Sequence, residues 1–395
     1  MALHFPRGSV NCPQWRSSML GTPASIRHSD SYIAQHVHDR EAFCMKILFD
    51  ALGSTERSGG MRLHSTELVR AWIEQFPGDD VLVISGAWAK MDLAPFGAKV
   101  TAWPNEGAIG RAAGQLIASP LLGAIRGVDA VVSLSPIVSP IVPRSRSVCF
   151  QHDWRHKRNP HEFPRFQRVY RWLWEWSAAN AGVNICISEK TKQETLRFVP
   201  SAQVKVVENG RDHAHRWAAT RAPVAQPTIL TFGHHNNKRP ELVIEAFALV
   251  RSDLPVNTRL VVLGARGAYA NDLYQRSATL GVQSLVDFPG FVSSQEYERL
   301  VSSASTIVMA SSDEGFGLPV AEAQYFGIPA IVTSDSGMTE IFGDYPFSAE
   351  PDASSLGVSL VEALNAPEAV TSKGAASMWR WRDAAQSLRS HLEDH

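Results

Sequence analysis

The chain has little of what builds metal or disulfide chemistry. Of its 395 residues only Cys12, Cys44, Cys149 and Cys186 are cysteine, and they lack the paired spacing of a metal site. Two of them lie in apolar runs that read as buried strands, a usage that suits a reducing cytoplasm. An excess of one charge is missing too. Lys plus Arg number 38 against 39 for Asp plus Glu, a formal net charge of −1, which argues against a general nucleic-acid binder. No apolar stretch approaches the ~20 residues that cross a bilayer, and the N-terminus has no hydrophobic core of the signal-peptide kind. These absences leave a cytoplasmic protein, soluble or peripherally attached at the inner face of the membrane. Its length exceeds what one core usually serves, and its 44% hydrophobic content is ample for two.

Residues 1–44 are polar, histidine-bearing and without periodicity, so they are expected to form a disordered extension, with Met45 as an alternative natural start. From Met45 onward short apolar runs alternate with helical stretches. The runs begin at Met45, Val81, Ala130, Val148, Asn184 and Val204, and a second series at Ile229, Leu260, Val286, Thr306 and Ala330 follows the proline-bearing segment from Ala222 to Pro227. Alternation of this kind predicts parallel sheets with right-handed crossovers. The expected division is a first Rossmann-like domain over 45–222, a second over 223–370, and a terminal helix over 371–395 crossing back to the first. Ligands of such doubly wound sheets bind in the cleft, at the carboxyl ends of the strands.

The most informative stretch is Ser312-Asp313-Glu314-Gly315-Phe316-Gly317-Leu318-Pro319-Val320-Ala321-Glu322-Ala323. An apolar strand leads in, Gly315 and Gly317 let the backbone approach a ligand closely, and Pro319 sits where a first-turn proline is tolerated. Glu314 stays on the loop, while Glu322 falls about 8 Å along the following helix at ~1.5 Å per residue. Carboxylates so placed can accept from the hydroxyl pairs of a hexose and a ribose. With Phe326-Gly327-Ile328-Pro329 downstream, the segment resembles the Glu-x7-Glu signature of family 4 glycosyltransferases, retaining enzymes of the GT-B fold. For an isolated pair, a capping Glu314 and a solvated Glu322 would be the simpler reading; the surrounding residues reverse it.

Other segments align with the same resemblance. Gly59 and Gly60 lie between the first strand and a helix, where backbone amides can meet an anion, though an ordinary turn reads equally well from these residues alone. His152, in Phe150-Gln151-His152-Asp153, ends a strand and could bond a sugar hydroxyl; a satisfied core histidine is the alternative. Ser188 is expected to cap the helix after it. Asn209 belongs to an Asn-Gly segment near the donor. In Phe232-Gly233-His234-His235-Asn236-Asn237-Lys238-Arg239, Lys238 matches the family lysine on the leaving diphosphate, while His234 and Asn237 stand where relatives carry an arginine. Arg239, or a protonated His234, is expected to compensate, unless Arg239 only faces solvent. Gly264 resembles the glycine turn beneath the nucleotide, and Phe291 lies in the loop that meets the base. Gly337 starts a short helix on the donor side.

The resemblance thus implies an α/β GT-B enzyme moving a hexose, with a lean toward mannose or a deoxyhexose, from a nucleoside diphosphate sugar to a glycan or lipid-linked acceptor in polysaccharide or lipopolysaccharide assembly. It implies His152, Lys238 and Glu314 as catalytic residues. Gly59, Gly60, Asn209, Gly233, His234, Arg239, Gly264, Phe291, Gly315, Phe316, Gly317, Leu318 and Glu322 are the implied donor-binding set. No Asp-x-Asp lies near these strands, which fits turnover without a metal or other cofactor. A sugar-nucleotide-binding protein without turnover and a nucleotide-sugar epimerase are the alternatives. The basic, aromatic stretch from Trp154 to Trp176 reads first as a packed helix with a solvated basic face and second as a membrane contact.

Overall fold

The computed structural model describes residues 44–365 and 379–394, apart from 57, 105–106, 159, 161–162, 164 and 218–225; for 165–169 it describes the backbone alone. The expected extension, except for Cys44, and most of the proline-bearing segment lie outside the described residues.

Two parallel sheets account for the architecture. The first holds β1 (Lys46–Asp50), β2 (Asp80–Ser85), β3 (Lys99–Ala102), β4 (Ala130–Ser133), β5 (Ser147–Gln151), β6 (Val183–Cys186) and β7 (Val204–Val206) in the order β3-β2-β1-β4-β5-β6-β7. The second holds β8 (Thr228–Phe232), β9 (Arg259–Leu263), β10 (Val286–Gly290), β11 (Thr306–Met309), β12 (Ala330–Thr333) and β13 (Phe347–Ala349) in the order β10-β9-β8-β11-β12-β13. Central strands such as β4 and β11 are buried at every position, because helices cover both faces of a parallel sheet. In each sheet the strand order reverses between the first strand and the fourth, β1 beside β4 and β8 beside β11. A doubly wound sheet opens a crevice at such a reversal.

The apolar core is continuous across the two units. One cluster runs from Ile47, Phe49 and Phe150 of the first sheet to Phe316, Val320 and Val332 of the second, with Trp381 and Leu388 of the helix Trp381–Glu393 included. That helix lies on the helix Gly60–Gln75: the Arg389 guanidinium sits 4.4 Å from the Phe76 ring centre and pairs with Asp79. Cys149 and Cys186 are buried and free on β5 and β6.

One continuous helix, Ala108–Arg126, exceeds what the sequence suggested, since it reaches the length and apolarity of a membrane span. Its glycine side is committed to the first domain. A side chain at Gly114 would meet Leu52 Cδ1 at 2.7 Å, and the Trp103 indole donates to Gly110 O at 2.8 Å.

Candidate active site

The second domain supplies an ionic half-site at its strand reversal. Gly233, directly after β8, packs so tightly that a Cβ there would stand 3.0 Å from Val262 Cγ1 and 3.1 Å from Ala265 Cβ. The chain then turns through His234 and His235 into the 3-10 turn Asn236–Lys238. Lys238 Nζ pairs with Glu314 Oε1, which arrives from the loop after β11, and both side chains are largely buried. Burial pushes the Glu314 carboxyl up, but the Lys238 charge and hydrogen bond, with lesser help from the neighbouring Ser311 and His234, hold it below the ordinary carboxylate range. The sequence-derived pair thus meets at the mouth of the crevice.

Two expected cations are not available there. His234 keeps an exposed ring but sets its Cβ against Gly264, where an added Cβ would lie 2.8 Å away. Desolvation by its surroundings, then the charges of Lys238 and His235, lower its pKa, so it is neutral near pH 7 and supplies no fixed charge. Arg239 turns away instead. Its guanidinium engages both oxygens of Asp335 at 2.9 and 2.7 Å, as well as Thr333 Oγ1 and Ala310 O.

The signature loop is docked on the first domain. A Cβ on Gly315 would fall 1.8 Å from His152 O, so only glycine permits this approach. Ser188, which caps the helix Glu189–Phe198 by accepting from Thr191 N, also donates its hydroxyl to Gly315 O at 2.9 Å. Asp313 is buried between Lys190 at 2.6 Å and Arg158 at 2.9 Å, and both cations also reach Glu194. Phe316, expected at the donor, is a core residue: it packs on Phe342, and the buried Arg211 guanidinium lies 5.4 Å from its ring centre. Gly317, at φ +91°, starts the helix Leu318–Phe326.

Glu322 departs furthest from expectation. It is 1% exposed, accepting from His213 Nε2 at 3.0 Å and from the Tyr297 hydroxyl at 2.6 Å. The Trp381 indole donates to His213 Nδ1 at 3.2 Å, which leaves the proton on Nε2 for Glu322. Both carboxylate oxygens are therefore occupied, and Glu322 ties the terminal helix, the inter-domain segment and the helix Ser294–Ser303 together rather than opening on a ribose.

Across the crevice the first domain presents neutral groups. Gly59 precedes the helix Gly60–Gln75, whose first turn holds no acidic residue and no side-chain cap, and Gly60 faces Leu318 of the second domain at 3.4 Å from a built Cβ. His152 donates Nε2–H to Leu134 O at 2.9 Å, which leaves Nδ1 as an acceptor. Its ring meets His64 edge-on at 4.9 Å, and His64 Nδ1 donates to Asn209 Oδ1 at 2.8 Å. Burial lowers both imidazoles, His64 to about 3, so neither carries charge near neutral pH. Phe291 is exposed at the outer edge, with the Arg266 guanidinium 5.1 Å from its ring centre. His64, Lys190, His213 and Tyr297 escaped the sequence reading; Lys190 alone lies close to a residue it named, two positions after Ser188.

A separate cavity of about 430 Å³ opens beside Ser188 and Lys190, but Glu189, Glu208 and Glu340 line it and would repel a diphosphate. Among the described residues no group of three His, Cys, Asp or Glu side chains is arranged to hold a metal.

Comparison with known families agrees with this geometry. The model of Glycosyltransferase Family 4 matches residues 58–215, and that of Glycosyl transferases group 1 matches 218–370, together most of the chain. The chain belongs to the family 4 glycosyltransferases. It is 24% identical over 216 residues to the O-antigen chain mannosyltransferase B of Escherichia coli, a match covering 51% of this chain and 57% of that protein. To the GDP-mannose-dependent alpha-(1-6)-phosphatidylinositol dimannoside mannosyltransferase of Mycobacterium tuberculosis it is 28% identical over 229 residues, covering 55% of this chain and 58% of the relative. The chain thus aligns with little more than half the length of these relatives. The crystal structure of Anabaena HepE in complex with UDP-glucose superposes with a TM-score of 0.69 over 89% of this chain and 100% of that one, at 17% identity, which establishes the GT-B fold.

Proposed function

We propose that this family 4 member moves a hexose from a nucleoside diphosphate sugar to a hydroxyl of a glycan or lipid-linked acceptor, with retention of configuration, in cell-surface polysaccharide assembly. The Lys238–Glu314 pair at the reversal of the second sheet carries this reading. A buried ion pair with no other work is a weak source of stability. Here it is poised to exchange partners: Lys238 turns to the diphosphate and Glu314 to hydroxyls of the sugar. Loss of the donor breaks the bond between the anomeric carbon and the phosphate oxygen, and the electron pair leaves with the diphosphate. Lys238 and the N-terminal end of the helix Leu318–Phe326 stabilise that charge. The acceptor oxygen bonds to the same face of the anomeric carbon, and its proton passes to the departing phosphate oxygen. His152, neutral and with Nδ1 unprotonated, accepts from a sugar hydroxyl.

A mannose or deoxyhexose donor is favoured because the relatives include mannosyltransferases. Turnover is proposed to need no metal. The neutral His234 and the diverted Arg239 favour, as the second reading, a protein that binds sugar nucleotides without turnover. A panel of GDP-mannose, UDP-glucose, UDP-galactose and dTDP-rhamnose, read by thermal shift and by release of nucleoside diphosphate, tests both. A bound donor at a hundred times its Kd adds about 2.7 kcal/mol. No shift with any donor sinks the reading; a shift without release selects the second, and formation of an epimeric nucleotide sugar selects the epimerase.

Peripheral attachment at the cytoplasmic face belongs to the same proposal, on a different surface from the Trp154–Trp176 stretch, where Trp154 and His156 are buried and Trp172 is the one exposed tryptophan. Ile109, Ile117, Leu121 and Ile125 are exposed along the helix Ala108–Arg126; the segment with exposed Ile141 is tied to that helix by Ser139 donating to Leu116 O, and exposed Arg126 and Arg146 stand at its C-terminal end, where Arg146 donates to Val128 O. Apolar residues rimmed by arginine suit an anionic bilayer. Co-sedimentation with phosphatidylglycerol vesicles, lost in an Ile117→Gln, Leu121→Gln, Ile125→Gln variant, is the expected result; equal binding by the variant rejects this surface.

A further inference from the structure

We propose that Lys190, with Ser188 beside it, is a positioning residue of the first domain that sets Glu314 on the donor sugar, an inference that rests on the donor reading above. Both residues stand just past β6, Ser188 as the cap and Lys190 in the first turn of the helix Glu189–Phe198. Two successive carbonyls of the signature loop accept from them: Glu314 O from Lys190 Nζ at 3.0 Å, and Gly315 O from the Ser188 hydroxyl at 2.9 Å. The Glu314 amide is held from the other side, donating to Ser336 O at 3.1 Å within the second domain. The main chain that carries the Glu314 carboxylate is thus clamped between the two domains.

Lys190 is built into this place. It is 7% exposed, and Glu314 O, Asp313 Oδ1 at 2.6 Å and Glu194 Oε1 at 3.2 Å together match the three N–H donors of an ammonium. Its stem crosses Gly337, where a Cβ would lie 2.3 Å from Lys190 Cε and 2.4 Å from Cδ. A latch between the domains would need only an ion pair such as Arg158 with Asp313, at 2.9 Å. Lys190 reaches past that carboxylate to the main chain of the residue that pairs with Lys238.

Hydrogen bonds to sugar hydroxyls weaken steeply with misplacement, whereas the diphosphate is held by Lys238 from the second domain alone. Releasing the loop from Lys190 therefore loses the sugar and keeps the diphosphate. Recognition of the sugar is thereby made to depend on the first domain being in place.

The test is calorimetric binding, without acceptor, of UDP beside UDP-glucose and of GDP beside GDP-mannose. In Lys190→Met the diphosphate that wild type binds keeps its Kd, while the matching nucleotide sugar binds roughly tenfold more weakly, the scale of one lost hydrogen bond. Ser188→Ala acts in the same direction and by less. In a Glu314→Gln background neither substitution weakens the nucleotide sugar by more than about twofold again, because residues that act through one group are not additive; a merely structural role would repeat its full loss there. Arg158→Gln, which leaves the contact with Glu314 O intact, binds both ligands near wild type. Wild-type affinity for the nucleotide sugar in Lys190→Met, or in Ser188→Ala should the first variant fail to fold, overturns the assignment. So does an equal loss for the diphosphate, a full loss repeated in Glu314→Gln, or an equal loss in Arg158→Gln. Wild type binding none of the four ligands, or Glu314→Gln binding the nucleotide sugar like wild type, overturns the donor reading itself, and this inference with it.

Discussion

The two faces of the crevice are built from the same topology and opposite chemistry. The second domain brings charge to its strand reversal: Lys238 with Glu314, and Arg239 with Asp335 behind them. At the corresponding place the first domain brings neutral hydrogen-bonding groups: His152 on Leu134 O, and His64 on Asn209. A departing diphosphate needs fixed positive charge, and hydroxyls need oriented neutral donors and acceptors. The contrast therefore suggests a division of labour, with the leaving group on the second domain and sugar or acceptor hydroxyls on the first. Arg155, Arg158 and Lys190 are the exceptions, crossing from the first face to Asn237 and Asp313 of the second.

Removing Lys238 breaks the contrast most severely. Lys238→Ala is expected to lower kcat roughly a hundred- to thousandfold, the usual effect of losing a preorganised group at developing charge. Steady-state release of nucleoside diphosphate measures it, with and without a chelator; an unaffected variant means that the leaving group lies elsewhere. Glu314→Gln comes next. Transfer should fall about tenfold or more through lost hydrogen bonds to the sugar. Binding of free UDP or GDP should hold or tighten, since Glu314 no longer competes for Lys238. Calorimetry showing weaker diphosphate binding in this variant would contradict the partner exchange.

Glu322 sharpens the comparison from within the signature. Glu314 sits among charges at the crevice, whereas Glu322 is closed in by two neutral donors, His213 and Tyr297. Glu322→Gln turns one acceptor into a donor facing donors, so it should cost about 1.5–3 kcal/mol of stability in urea titration. Diphosphate affinity should change little under conditions where the variant is folded. Full stability with weakened nucleotide binding would return Glu322 to the ribose.

Much of this arrangement was legible in the sequence, because buried parallel strands announce themselves as continuous apolar runs. Two of the four edge strands did not: β7 and β10 were among the runs read, whereas β3, Lys99–Ala102, alternates exposed and half-buried residues and β13, Phe347–Ala349, sets a serine between two apolar residues. Lys238 and Glu314 were readable because glycines and a strand end flank each of them. The Glu322 environment was not, since Tyr297 lies 25 residues away along the chain and His213 lies 109, and only the folded packing brings them together. The same holds for Arg239, whose commitment to Asp335 spans 96 residues.

The smallest expected effect at neutral pH probes the neutral face. Buried His64, with its pKa lowered to about 3, stays uncharged in the folded protein, while in the unfolded chain it titrates near 6.5. Its contribution is fully present above about pH 6.5 and is lost as pH falls from there toward 3, because the unfolded state takes up a proton that the folded state refuses. At pH 5 the loss is about 2 kcal/mol for this one residue. His64→Gln, which keeps an N–H for Asn209 but does not titrate, should therefore be somewhat less stable than wild type at pH 7.5 and draw level with it or exceed it at pH 5. Urea midpoints of the two proteins at both pH values check this. A gap that stays constant between pH 7.5 and 5 would mean that His64 is not held neutral, and that the first face of the crevice carries charge after all.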